Sequence, residues 1–488
     1  EVGDEDRCHG QALGGNPINF GGGNKFQREL DIPVLGSRTI KIERIFDSLS
    51  QRRGYFGLGW FSNIDMRINL LTRNDSIIKA KVILPGRATV EFEESNGILS
   101  SVGERDHKLT KDENDLLIYI DLKGTKYEFD ADGRVLKITE LLGDFLEYGY
   151  VNNTISSITD AYGNDLQFSV VNGLITQAVY NTDYSYIYHY ENGILTSVEY
   201  PSSTPETPIQ KIYQYENIGF SSMLTGIVDE SGAQYATWKY DVNGLANYSA
   251  HGQLDAEGKR KEEFSVIYND DTTTVTNSFG KDTVYHFDSV NGVRKFTHVD
   301  GQASQNCAAS TAYQNYDIYG YKDKSTNAEG YVTDYDYNGY GLPETITEGL
   351  VWVDPEVRAE TTTTPETRTT SIQWETETQQ VYILTTEKLI TDYDYYTGTN
   401  RLKTVTQTDR SDYNNGFGST LNQQRLWNYT YTFYSGEDVL ANVLVDTLSI
   451  DGPLAGALDT LTYHWDLQGN LLTVTNALAQ TTTYGDHN

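Results

Sequence analysis

A turn signal recurs every 20 residues along part of the chain: Asp132-Gly133, Asn152-Asn153, Asn172-Gly173 and Asn192-Gly193, with Gly143, Gly163 and Asp183 falling about halfway between. Two-residue turns with both central residues at positive φ favour Asn or Asp followed by Gly, because the mirror-image turn matches the twist of paired strands. The spacing therefore predicts a chain that reverses about every ten residues. Six or seven residues between turns make a strand of roughly 20 Å, so the predicted unit is an antiparallel hairpin repeated into a meander.

The residues between the turns fit strands. Apolar residues follow each turn: Val135 and Ile138, Ile155 and Ile158, Ile175, then Leu195 and Val198. Tyr184, Tyr186, Tyr188 and Tyr190 are two apart, which places all four rings on one strand face. The same pattern returns at Tyr335/Tyr337, Tyr393/Tyr395 and Tyr429/Tyr431. Such rings suit a sheet with water near both faces, packing across strands while their hydroxyls stay hydrated.

A chain of 488 residues would ordinarily divide into several domains, but a repeat array escapes that rule because each unit buries its surface on the next. With 43 Gly and only 10 Pro, the composition suits many short strands rather than a disordered chain. The formal charge of −32 argues against nucleic acid and anionic lipid as partners. No apolar run approaches the roughly 18 residues of a membrane-spanning helix. The opening at Glu1, without an initiator Met or a leader, reads as a processed segment, and points to a secreted, extracellular or cell-surface protein. Cys8 and Cys307 match no metal spacing. In an oxidising compartment they would pair and pin the N-terminal arm; two separate thiols are the alternative.

The chain divides into a Gly-rich N-terminal arm or plug (1–38), too flexible at Gly14-Gly15 and Gly21-Gly22-Gly23 for regular structure, and a β-region that opens the array (39–118). A meander follows (119–350), then a Thr-rich stretch of longer strands or an insertion (351–391), and a second meander (392–488). Residues 202–208 read as a surface loop.

Phe129-Asp130-Ala131-Asp132-Gly133-Arg134-Val135, closing with Ile138, resembles the YD repeat of the Rhs family. Tyr240-Asp241-Val242-Asn243-Gly244-Leu245 matches well; Tyr316-Asp317-Ile318-Tyr319-Gly320 and Tyr463 through Gly469-Asn470-Leu471 match in part. Gly15-Asn16-Pro17-Ile18-Asn19, then Gly23-Asn24-Lys25-Phe26, resembles the segment that opens the repeat region of secreted members, and Phe56-Gly57-Leu58-Gly59-Trp60 the motif after it. The resemblance implies an all-β fold in which the YD-type meander winds into a spiral, hollow shell or tube. In the family such shells enclose a C-terminal toxin or other cargo, or serve cell-surface contact. The Asp-Pro cleavage segment that usually precedes the cargo is not found before Asn488.

Chemical signatures are sparse. Eight histidines are scattered singly, with no HExxH and no pair spaced to share a metal. There is no GxSxG elbow and no P-loop, so no enzyme and no cofactor is expected. Asp334, Asp336 and Asn338, followed by Gly339, reproduce early positions of a calcium loop, but Thr345 stands where the bidentate Glu belongs. A YD-repeat turn is the plainer reading of that segment, and calcium binding the alternative. The sequence thus predicts a non-catalytic scaffold that assembles into an extracellular filament or fibre through strand-edge contacts. An encapsulating shell completed by a further C-terminal part and its cargo is the second reading, and carbohydrate binding by surface tyrosines the third.

Overall fold

The computed structural model describes residues 13–14, 16–32, 40–73, 76–85, 89–95, 98–102, 107–112, 114, 116–121, 123–141, 143–202, 209–252, 261–290, 292–301, 310–327, 329–375, 379–410, 420–435, 444–467 and 469–485, except that 113 and 115 are omitted from the stretch 107–121. These residues form 43 strands and no α-helix, which makes the chain all-β. Among them no helix is long and apolar enough to cross a membrane. From Arg67–Arg73 to Thr481–Thr483 the strands run antiparallel to their chain neighbours in one large meander sheet. Cys8 and Cys307 lie outside the described residues, as does most of the loop expected at 202–208.

Two kinds of turn build the meander. Asn152-Asn153, Asn172-Gly173 and Asn192-Gly193 have both central residues at positive φ, as the spacing argument requires. Asp132-Gly133 differs: only Gly133 is left-handed there, at φ 80°. In that turn the Asp130 carboxylate accepts the N–H groups of Asp132 (3.0 Å) and Arg134 (2.8 Å), while Gly133 N–H bonds back to the Asp130 carbonyl (3.0 Å). An Asp side chain thus replaces a strand partner and caps the turn from within. The device returns with Asp160, Asp229, Asp241, Asn277, Asp317 and Asn338, so the aspartate of each YD-type unit is a turn cap.

The tyrosine has an equally local role. Tyr150, Tyr190, Tyr240, Tyr268 and Tyr337 donate their hydroxyls to the carbonyls of Val135, Ile175, Leu224, Ala246 and Lys322, all at or near a strand start, at 2.6–2.9 Å. Phenylalanine would fill the same space and leave those carbonyls without this donor.

Apolar residues three apart, such as Ile155/Ile158 and Leu195/Val198, would fall on opposite faces of a regular strand. All four are buried on the same side. A β-bulge after each turn resets the alternation: Gly149 pairs with Ser157 and Tyr150 with Ile155, leaving Ser156 over, and Thr176 and Thr196 are the extra residues in the next two such hairpins. Thr176 and Thr196 occupy such bulges and donate their hydroxyls to the Ser169 and His189 carbonyls across the ladder (3.2 and 3.1 Å).

The sheet curls around its own N-terminal segment. Phe26–Ile32, Ile42–Asp47 and Trp60–Ser62 form a separate three-stranded sheet, so the segment expected to be an irregular arm contains regular structure, and the inserted unit continues well past residue 38. Its side chains share one core with sheet residues from Ile68 to Phe287. In the Thr-rich stretch Arg368–Trp374, Val381–Thr385 and Leu389–Tyr395 continue the sheet from Pro343–Trp352, while Thr361–Thr362 pairs with the end of Pro343–Trp352 as a short excursion between them.

Candidate functional site

The most elaborate chemistry of the chain lies where the inserted N-terminal unit meets the concave face of the sheet. In strand Ile42–Asp47 every second side chain from Ile42 is buried, and this places Arg44 between the apolar Ile42 and Phe46. Arg44 and Asp31 are both shut off from solvent. Their pairing is a two-pronged fork: Nε to Oδ2 at 2.6 Å and Nη2 to Oδ1 at 2.8 Å.

The sheet completes this pair. Tyr188 donates to Asp31 Oδ2 (3.0 Å), Tyr200 approaches Oδ1 (3.4 Å), and Arg44 Nη2 also reaches the Tyr213 hydroxyl (2.9 Å). The guanidinium lies 4.6 Å from the Trp60 ring centre and 5.5–5.8 Å from those of Phe56, Tyr213 and Tyr188. Burial alone would lower its pKa, but the Asp31 carboxylate and the two tyrosines hold it well above the ordinary arginine value. Burial in turn pushes Tyr188 and Tyr213 well above the usual phenol range. The face carrying the tyrosine run is therefore largely dry where the insert covers it, and only Tyr184 at its end keeps the exposure expected for all four rings.

Further contacts surround this centre. Lys211 of the sheet pairs with Glu29 of the insert at 2.8 Å and with Glu230 at 3.1 Å. Lys25 is fully buried, with its ammonium 4.1 Å from the Trp238 ring centre and 2.9 Å from Gln27 Oε1; burial lowers its pKa, against the pull of Glu29. Trp238 Nε1–H donates to the Asn16 carbonyl (3.0 Å) and the Thr273 hydroxyl to the Phe20 carbonyl (2.8 Å).

Backbone contacts fasten the insert to the hairpin turns themselves. Ile175 N–H donates to Tyr55 O (2.9 Å), Leu58 N–H to Gly193 O (3.2 Å) and Ala246 N–H to Gly23 O (2.7 Å), while the sheet's own first strand adds Ile68 N–H to Gly133 O (2.8 Å). The turns that supply the 20-residue rhythm thus form the rim that receives the insert. Close approach explains the glycines: at Gly57 (φ 98°) a Cβ would stand 2.7 Å from the Gly193 carbonyl oxygen.

A hollow of about 390 Å³ lies beside the insert, between its Lys41, Asn63 and Met66 and the sheet residues Tyr127, Asp144 and Tyr148. Burial raises the Asp144 carboxyl despite the hydrogen bond from Tyr162 and the nearby Arg401 guanidinium. That influence of Arg401 places the start of strand Leu402–Asp409 beside turns some 250 residues earlier, as a wound sheet requires.

Of the calcium-loop residues, Asp334 pairs with Lys324 (3.2 Å) and Asn338 Oδ1 accepts the N–H groups of Tyr340 and Leu342 (both 3.0 Å), while Asp336 is exposed. Two of the three groups are thus engaged within the protein. The histidines read singly in the sequence are not all single in space, since His286 and His298 face each other across one hairpin.

A family model described as a domain of unknown function, DUF6531, matches residues 15–92, which take in the insert and the first strands of the sheet. No curated protein matches the chain. Among solved structures, the crystal structure of TcdB2-TccC3-Cdc42 aligns over 94% of this chain and 26% of its own at 11% identity, with a TM-score of 0.35. The Photorhabdus luminescens Tc holotoxin pore carrying the mutation TccC3-D651A aligns over 98% and 27% at 13% identity, with a TM-score of 0.34. A porin-like protein from Bacteroides uniformis aligns over 54% and 93% at 10% identity, with a TM-score of 0.16. The chain spans about a quarter of the length of the first two.

Proposed function

We propose that the protein is a non-catalytic, extracellular scaffold whose wound sheet is stoppered by its own N-terminal segment and lines an interior that holds other polypeptide. The reading rests on the unequal burial of the sheet. Up to Phe287 its inner side chains pack against the insert in one core. Beyond residue 300, the buried hydrophobic residues among those described are Tyr321, Val332, Leu350, Trp352, Val405 and Leu444. Partly exposed aromatic ladders take over there, with Tyr431 on Phe433 (6.3 Å between ring centres) and Tyr463 on Trp465 (5.9 Å). A face of stacked rings with accessible edges adapts to many polypeptides without a shaped pocket. The YD-type turns and their family resemblance support the same reading.

Sedimentation over a hundredfold concentration range, with electron microscopy of the same samples, tests the proposal. The expected result is one species of constant size with a stain-filled or solvent-filled interior. Filaments that lengthen with concentration would replace this reading with assembly through strand edges.

A further inference from the structure

We infer that His286, His298 and Asp300 form a binding site for a divalent transition-metal ion of the zinc or cobalt type. His286 lies on strand Asp282–Val290 and His298 on Val293–Gly301, directly opposite each other in register. Their rings stack at 3.7 Å and 13°, and His286 Nε2 is 3.1 Å and His298 Nε2 4.0 Å from the same oxygen, Asp300 Oδ2. One ligand atom from each residue falls within 4.8 Å of the others. Ligands of a tetrahedral zinc, bound at ~2.0–2.2 Å, lie roughly 3.3–3.5 Å apart, so the three atoms need only a small closure.

The donor set decides the class of ion. Calcium and magnesium favour oxygen-rich shells, whereas two imidazoles and one carboxylate suit zinc, cobalt or nickel and leave a position for water. An ion must lie in the plane of each imidazole, so binding fans the two rings out of their stack by rotation about the last side-chain torsion, which is soft. The side chains are about a quarter exposed for both histidines (28%) and half for Asp300 (48%), which leaves solvent access to their free edges.

The local backbone re-aims these groups. Thr297 is the extra residue of a bulge beside the histidine pair, and its hydroxyl donates to the His286 carbonyl (3.2 Å). It also lies 3.3 Å from His298 Nδ1, the kind of outer contact that orients a ligating imidazole. Tyr313 stacks on the outer side of His298 at 5.2 Å. Arg358, 3.7 Å from the Tyr313 ring centre, is the cation that opposes a second positive charge here, and Asp300 offsets it.

Cobalt(II) titration of the full chain tests the inference, because four-coordinate cobalt has intense visible bands that hexa-aquo cobalt lacks. One equivalent of Co²⁺ should develop these bands, and Zn²⁺ but not Ca²⁺ should bleach them. His298→Phe retains a ring to stack on Tyr313, and with Asp300→Asn it should weaken binding at least about tenfold while leaving the circular dichroism spectrum unchanged. Absence of the bands, or equal binding by His286→Phe/His298→Phe, would overturn the assignment.

Discussion

Replacing Arg44 with methionine is expected to destabilise the folded protein by about 3–5 kcal/mol, since removing one member of a buried ion pair leaves the other charged and dry. Asp31 would lose its bidentate partner and retain only the hydroxyl groups of Tyr188 and Tyr200. Asp31→Asn should cost a comparable amount, because the guanidinium then sits uncompensated among Phe56, Trp60, Tyr188 and Tyr213. The double variant should lose markedly less than the sum of the two, the signature of direct coupling. Guanidinium-induced unfolding followed by tryptophan fluorescence measures all three. Surface pairs provide the contrast: breaking Lys79–Glu93, exposed on both sides, should change stability by less than ~1 kcal/mol.

The second large effect is expected at the turn glycines. Gly133→Ala would place a Cβ on the Ile68 carbonyl oxygen in a residue already at φ 80°, and Gly57→Ala would drive one against Gly193 O. Each should cost more than ~3 kcal/mol, from left-handed strain together with a backbone clash that only displacement of the strand Arg67–Arg73 (at Gly133) or of the insert (at Gly57) relieves. Gly173 has nearly the same φ (78°) and nothing within 4 Å of the added carbon. Gly173→Ala should therefore cost only the ~1–2 kcal/mol of the left-handed conformation itself. Thermal midpoints of the three variants, measured side by side, separate strain from seating; equal losses would mean that the insert is not lodged against the turns.

Much of this architecture was legible in the sequence because it is local. A turn at Asn172-Gly173 needs only its own two residues, and four tyrosines at alternate positions define a face without reference to anything distant. The register was harder to read. Ile155 and Ile158 violate strand alternation unless one residue bulges out, and no sequence period announces that Ser156 does so. Asp132-Gly133 resembles the other turn signals, but Asp130, two residues earlier, makes it a capped turn. Least accessible was the seating of Arg44 and Lys25. Nothing near either residue reveals that Tyr213, 169 residues beyond Arg44, or Trp238 would complete its surroundings. The glycines of Phe56-Gly57-Leu58-Gly59-Trp60 read as a motif without a reason, and Gly193 supplies the reason for Gly57.

The histidine pair marks the boundary between these cases. His286 and His298 flank Gly292, but the turn that pairs Val290 with Val293 would by itself set His286 opposite Thr297, and only the bulge at Thr297 brings His298 into register. Spacing rules for metal ligands on helices or in short loops pass over such a pair, because cross-strand neighbours have no fixed sequence separation.

The central claim is that the N-terminal segment and the first half of the sheet form one cooperative body, locked by the Arg44–Asp31 pair. Hydrogen exchange on the intact chain tests it most directly. The amides of Ile42–Asp47 should exchange as slowly as those of Tyr184–Glu191, and both should be released together as denaturant is raised, well after the strands beyond residue 300. Early exchange of Ile42–Asp47 while Tyr184–Glu191 stays protected would show that the insert leaves the sheet independently, and would contradict the account.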